Sequence, residues 1–371
     1  MTRTLTALAL LAAAAALPAG ADTPPAARPL FNGKDLTGWA NVNCAPDTFA
    51  AKDGEIVTTG NPTGFLRSDR QYENFELDFD WMHVEKTKMA NSGLFVWGDP
   101  LPAVGTPYTR GIEVQVLINF KPADGWATSH GDLFSIWGAK CVPDRPHPKG
   151  LERCLPSEDR VKGAGEWNHY KVIANDGVIK LHVNGKEVSG VSKCNPRKGY
   201  LALESEGAEC HFKNLMLKEL PSTNPKPEEV ASVWAGHTSL FTGVDLAGWT
   251  TDAGAWKAAG GKLVAAGKAD LVTEKKYPVR ELQFDWKLPA KSAGKCEVKL
   301  GRFAVDATEN GKPGAWNRTV VDAGGRTLKV TTNGKAGAFS LIEADIFGPI
   351  TFRPADGLEI MNVFLSETKE K

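Results

Sequence analysis

The chain has 371 residues, enough for two domains with sizeable cores. Lys+Arg and Asp+Glu each total 44, so no global basic field is present to draw in nucleic acid or an anionic membrane. Glycine (38) and proline (23) are high and tryptophan (11) is abundant. That is a composition for short strands and tight turns, with indole rings available for stacking.

The chain opens with a targeting pattern. Arg3 gives the positive start, Leu5 to Leu17 the apolar run and Ala19-Gly20-Ala21 a small-residue cleavage site. Cleavage after Ala21 is expected, with export to the periplasm or the extracellular space, and no later stretch reaches the length of a membrane span. In such a compartment the six cysteines can form disulfides. Cys141 and Cys154 bracket a long loop and could staple it; Cys194 and Cys210 flank one predicted strand and could pair across it. No Cys-x-x-Cys is present to suggest a thiolate zinc site.

Beyond the leader the chain repeats itself. Leu30-Phe-Asn-Gly-Lys-Asp-Leu-Thr-Gly-Trp39 returns as Leu240-Phe-Thr-Gly-Val-Asp-Leu-Ala-Gly-Trp249, and Phe79-Asp80-Trp81 as Phe284-Asp285-Trp286. Trp167-Asn168 returns as Trp316-Asn317, Asn184-Gly185-Lys186 as Asn333-Gly334-Lys335, and Lys213-Asn214-Leu215 is matched by Met361-Asn362-Val363. Order is kept and the spacing exceeds that of a solenoid, so two homologous domains are expected. The division is a leader (1–21), a first domain (29–220), a Pro-rich linker (221–237) and a shortened second domain (238–371).

In the first domain strands are predicted near 55–58, 75–83, 93–96, 112–117, 169–174, 179–183, 199–203 and 212–217. Asp176-Gly177 and Asn184-Gly185 mark hairpins, because glycine accepts the positive φ of a tight turn. Many short strands with regular turns predict an all-β fold of two jelly-roll or β-sandwich domains, the second shorter.

Gly111 to Asn119 carries the clearest period of two. Ile112, Val114 and Val116 face a core, while Glu113 and Gln115 stand together on the other side, facing either a substrate or solvent. The 120–166 segment that follows is far longer than a hairpin needs, which favours a functional loop. Ser129-His130-Gly131-Asp132 is its densest polar set. His130 is suited to base, acid or metal-ligand work, and Asp132, two residues on, to orienting its ring. Glu204 ends an apolar strand in Leu203-Glu204-Ser205-Glu206, as a site acid or as an exposed strand-end carboxylate. Asn91-Ser92-Gly93 opens another strand as a turn or a ligand contact. Trp97, Trp126 and Trp137 could stack on sugar rings or pack in the core. Arg153, Arg160 and Glu158 read as loop ion pairs. The second domain has no copy of Gly111–Asn119 or of the long loop, so a structural, docking or glycan-contacting role is expected of it.

Taken in order, Leu30–Trp39, Asn91-Ser-Gly93, Gly111-Ile-Glu-Val-Gln115, Glu166-Trp-Asn168, Asn184-Gly185 and Phe212-Lys-Asn-Leu215 resemble the 3-keto-disaccharide hydrolase family, also described as 3-keto-glucoside 1,2-lyase/3-keto-2-hydroxy-glucal hydratase. The resemblance covers roughly Pro29 to Leu220 and, more weakly, Leu240 to Thr368. One departure is that Ile118, followed by Asn119, stands where the family often has an acid. The resemblance implies a concanavalin-A-like jelly roll and an oligosaccharide or glycoside substrate carrying a ketone at C3. That ketone acidifies the C2 proton, so a base can remove it, the group at C1 is expelled, and water adds to the glycal. The roles implied are Glu113 or His130 as base, Glu204 as second acid/base, Gln115 as hydrogen-bond donor, and Asn91, Asp132, Trp97 and Trp137 as substrate contacts. A divalent ion held by Glu113, His130 and Asp132 would stabilise the enolate as a Lewis acid. Two rival expectations are a non-catalytic, lectin-like glycan binder and a conventional glycoside hydrolase, because fold does not fix function.

Overall fold

The computed structural model describes residues 26–119 and 131–368. Strands dominate it, and the only helix among the described residues is a 3-10 turn at Pro227–Glu229. Four sheets form two sandwiches, each around its own apolar core. The expected all-β architecture of two jelly-roll units, the second shorter, is the one observed.

The first unit's site-bearing sheet contains β1 (Trp39–Val42), β2 (Gly64–Ser68), β3 (Ala90–Gly98), β4 (Gly111–Ile118), β5 (Leu133–Ile136), β6 (Arg153–Cys154) and β7 (Tyr200–Ser205). Their spatial order is β6-β5-β4-β3-β7-β2-β1, with every neighbour antiparallel. Ile112, Val114 and Val116 of β4, Leu94 and Val96 of β3, and Leu201 and Leu203 of β7 point inward. There they meet Phe75, Leu77, Phe79 and Trp81 of the opposing sheet, all fully buried. Each such side chain contributes roughly 1.5–3 kcal/mol on burial. The two hairpin signals are real turns: Asp176 and Gly177 have φ of 49° and 72°, Asn184 and Gly185 of 46° and 88°.

Three expectations change. The 120–166 stretch is not one long loop, because Leu133–Ile136, Lys140–Pro143 and Arg153–Cys154 are strands. Their brevity and the intervening Gly and Pro residues hid them. The six cysteines are all free and buried. Cys194 lies on a strand paired with that of Cys141, whereas Cys210 sits on a different strand beside Thr58 and His83. Finally, the second unit does hold a topological counterpart of β4. Phe303–Asp306 pairs with Glu297–Leu300 as β4 pairs with β3, but it is short and lacks the Glu-x-Gln pair.

The second unit's large sheet contains β8 (Tyr277–Lys287), β9 (Asn317–Asp322) and β10 (Glu359–Glu367), with β8 central between the other two. Phe364 of β10 reaches the first unit and packs with Val42, Phe65, Phe95 and Ala202 on the outer face of the site-bearing sheet. The segment between the units is tied down as well: Gln71 Nε2 donates to Ala231 O at 2.9 Å and Trp234 N to the Tyr200 hydroxyl at 3.0 Å.

Candidate functional site

The period of two along β4 puts Glu113 and Gln115 on the face away from the core, yet neither is solvated. Glu113 is 7% exposed and Gln115 3%. Neighbouring strands close around them. Gly93 of β3 lies opposite Gln115, and Phe95 lies opposite Glu113. On the far side of β3, β7 brings in Glu204, which is 1% exposed.

Gly93 is the hinge of this arrangement. A Cβ there would stand 3.0 Å from Glu113 Oε1 and 3.1 Å from Glu204 Oε2. The two carboxyl groups therefore converge over a residue with no side chain, and any larger residue would intrude between them. Glu204 Oε2 is buried with no hydrogen-bond partner. A buried, orphaned carboxyl oxygen is costly and calls for a functional explanation.

The surrounding groups hold this pair in place. Gln115 Nε2 donates to Asn91 Oδ1 at 2.8 Å and to Glu113 Oε1 at 3.2 Å. Asn91 Nδ2 donates to Glu206 Oε2, and the Tyr108 hydroxyl donates to Glu206 Oε1 at 2.6 Å. Glu206 stands two residues beyond Glu204, so the strand period puts both on one side. That signal was present in the sequence. Tyr108, on the loop between β3 and β4, left none.

Electrostatics separates the carboxyl groups. Burial, followed by the nearby Glu206 charge, pushes Glu113 up to about 8. Burial and the neighbouring Glu113 and Glu206 push Glu204 well above the ordinary carboxylate range. Glu206 is raised too, chiefly by burial, but donors from Tyr108 and Glu204 oppose the rise. The three titrate as a group, with Glu206 the member best equipped to carry negative charge and Glu204 the one that keeps its proton.

A stability effect follows for Glu113. Its folded-state value lies above the unfolded 4.5, so between about 4.5 and 8 the folded chain binds more protons than the unfolded one. Stability must then fall as pH rises through that window. Glu113→Gln removes this loss, and thermal melts should show the variant gaining on the wild type at pH 8.5 but not at pH 4.5. Equal pH dependence of the two proteins would contradict the raised value.

Not every expected site residue joins the carboxyl cluster. Trp97 is fully buried in the core, where its indole N–H donates to Glu73 O at 2.7 Å, so it cannot face a substrate. Asp132 is fully buried, and Arg153 Nη1 donates to its Oδ2 at 2.7 Å. Arg153 is thus more than a loop ion pair. It is buried against the Phe134 ring, 3.6 Å from the centroid, and its charge partly offsets the rise at Glu113. Arg160 and Glu158 do pair in the loop, at 3.0 Å. Trp137 is 53% exposed, and its ring lies parallel to Tyr108 with centroids 6.0 Å apart. Ser129, His130 and Trp126 lie outside the described residues.

Of the three cation ligands considered, Asp132 is committed to Arg153 and Glu113 retains its proton up to about 8. Among the described residues no group of three or more His, Cys, Asp and Glu is placed to hold a metal ion. His130, the third ligand considered, lies outside the described residues, and no step below is routed through a cation. No helix among the described residues is long and apolar enough to cross a membrane.

Comparison with known proteins adds the following. A protein from Parabacteroides distasonis, provisionally described as a glycosyl hydrolase, is 24% identical, with a TM-score of 0.39, covering 52% of this chain and 93% of its own. The carbohydrate-binding module CBM66 of Bacillus subtilis is 14% identical (TM-score 0.36; 49% and 96% covered). The exoplasmic/lumenal domain of VIP36, solved in a Ca2+/Man3GlcNAc-bound form, is 10% identical (TM-score 0.37; 53% and 91% covered). No curated protein matches. Residues 26–218 and 236–301, well over half of the chain, match the 3-keto-alpha-glucoside-1,2-lyase-like domain, and the chain belongs to that family.

Proposed function

We propose that the protein cleaves 3-keto-glucosides by elimination and then hydration, with Glu113 as base and Glu204 as acid. The observation that carries this reading is the convergence of the two buried carboxyl groups over Gly93, one titrating near neutrality and the other held protonated. A base works best with a pKa near the operating pH, and an acid must still hold its proton there.

In the first half-reaction ionised Glu113 takes the C2 proton, which the C3 ketone has acidified. The electron pair forms the C1–C2 double bond, the C1–O bond breaks, and Glu204 protonates the departing oxygen. In the second, ionised Glu204 takes a proton from water as its oxygen adds to C1, and Glu113 returns its proton to C2. Both residues end as they began, and the net change is hydrolysis. Glu206, held by Tyr108 and Asn91, lends a charge that keeps Glu204 protonated between turnovers. Gln115 fixes the Glu113 carboxyl through the 3.2 Å hydrogen bond.

The test is turnover of a panel of 3-keto-glucosides beside the parent glucosides. Release of the aglycone from the keto forms alone supports the proposal. Equal release from the parents would favour a conventional hydrolase, and binding without release from either set a lectin. Tyr108→Phe removes one donor to Glu206 and should lower kcat by about tenfold, the effect of losing one hydrogen bond to a charged group. An unchanged kcat would show that Glu206 needs no such support. Export is also proposed, on the leader pattern of Arg3, Leu5–Leu17 and Ala19-Gly20-Ala21.

A further inference from the structure

Between the two units lies a cavity of about 610 Å³, lined on one side by Leu101, Val104 and Trp137 of the first unit and on the other by Val233, Gln283 and Arg318. That size falls within the range of ligand pockets, about 300–1,000 Å³. Three observations point to an occupant. Trp137 has φ of 50° at the turn after β5, a left-handed conformation that a bulky residue adopts only under constraint, and it leaves half of its indole in the open. Gln283 of β8 has its Nε2 buried at the cavity with no hydrogen-bond partner. Third, the cavity adjoins the carboxyl cluster: the Trp137 ring stacks on Tyr108, whose hydroxyl bonds Glu206 at 2.6 Å.

A flat aromatic face and an amide donor without a partner, lining one cavity, suit a sugar ring. The pyranose C–H face covers the indole and a hydroxyl accepts from the amide. We infer that the interdomain cleft is a second sugar subsite, in which Trp137 stacks on the ring beyond the scissile bond and Gln283 of the second unit donates to one of its hydroxyls. The inference rests on the proposed function only for which sugar ring lies where. It gives the second unit a direct part in substrate binding, although that unit has no Glu-x-Gln strand of its own. The neighbouring polar groups are otherwise engaged. Arg110 is paired with Asp99 at 2.7 Å, His237 with Glu281 at 2.7 Å, and Arg318 with Asp285 at 2.7 Å.

Calorimetric titration with methyl glucoside and with a panel of glucosyl-glucose disaccharides, none oxidised at C3, tests this without turnover. The wild type should bind at least one disaccharide about tenfold more tightly than methyl glucoside, the value of one or two hydrogen bonds and a stacked ring. Gln283→Leu should abolish that advantage and leave methyl glucoside affinity unchanged. Val233→Arg, at a position 76% exposed and so tolerant of substitution, should do the same by filling the cleft. Retention of the disaccharide advantage in both folded variants, or its absence from the wild type, overturns the subsite. Turnover of the 3-keto panel by the same proteins is read separately, so a failure of the proposed chemistry is distinguishable from a failure of the subsite.

Discussion

Glu113→Gln is expected to lower kcat on a 3-keto-glucoside by at least about a thousandfold while leaving the fold intact. General-base catalysis alone is worth about 10²–10⁴, and glutamine cannot accept the C2 proton. The substitution keeps the shape of the side chain and removes a buried acid whose charged form the fold disfavours, so loss of structure cannot account for the lost rate. The pH profile separates the role further. Wild-type kcat/KM should climb with pH and level off above about 8, where Glu113 is ionised. It should fall again only where Glu204 gives up its proton. Glu204→Gln should remove that second limb and be less damaging on substrates whose leaving group needs no protonation, such as nitrophenyl glycosides. Wild-type turnover by Glu113→Gln, or a flat profile between pH 6 and 9, would move the base elsewhere in the chain.

The second large effect is expected far from those carboxyl groups. Asp285 of β8 is fully buried and accepts from Arg318 Nε at 2.7 Å, Arg318 Nη2 at 2.9 Å, Asn362 Nδ2 at 2.6 Å and the backbone N–H of Gly105 at 2.9 Å. Gly105 belongs to the first unit. Arg318 also donates to Pro102 O at 2.8 Å, and Asn362 to Thr106 O at 3.0 Å. The loop is gripped so closely that a Cβ on Gly105, whose φ is +70°, would stand 2.2 Å from the Trp316 ring. Asp285→Ala strands the Arg318 charge and unties the loop. Breaking a buried pair on one side typically costs about 3–5 kcal/mol. Denaturant unfolding should show a loss of that size, and kcat should fall as well, because the same loop carries Tyr108 to Glu206. Asp285→Ala with Arg318→Met should recover part of the stability, since the stranded charge is gone. A loss below about 1 kcal/mol in the single variant would mean that the clamp is solvated and weak.

The framework was legible in the sequence because it is written in local signals. Alternation along Gly111–Ile118, the Asp-Gly and Asn-Gly turns and the repeated Phe-Asp-Trp each occupy a few adjacent residues. The candidate site was legible only in pieces. Glu113 with Gln115, and Glu204 with Glu206, are visible as same-face pairs. Their meeting across Gly93 depends on β3 lying between β4 and β7, a non-local pairing that no spacing encodes. Trp97 misled for a related reason. An aromatic side chain carries the same label whether it faces a ligand or the core, and Glu73 O is remote in sequence from the indole that binds it. Tyr108 was invisible because its position is set by the second unit's hold on Gly105.

The Asp285 clamp has a copy. In the first unit Asp80 accepts from Asn214 Nδ2 at 2.7 Å and lies 2.8 Å from His169 Nδ1, the same strand positions as Asp285, Asn362 and Arg318. There the face is partly open, His169 being 48% exposed in its side chain. The loop that fills it in the second unit runs from Asp99 to Arg110, whereas the second unit's corresponding strands are joined by Gly301 and Arg302 alone. Each unit thus keeps a socket, but only the first carries a plug. This grip between the units is therefore one-directional: the second unit's socket holds the first unit's loop, and the second has no such loop for the socket of the first to hold.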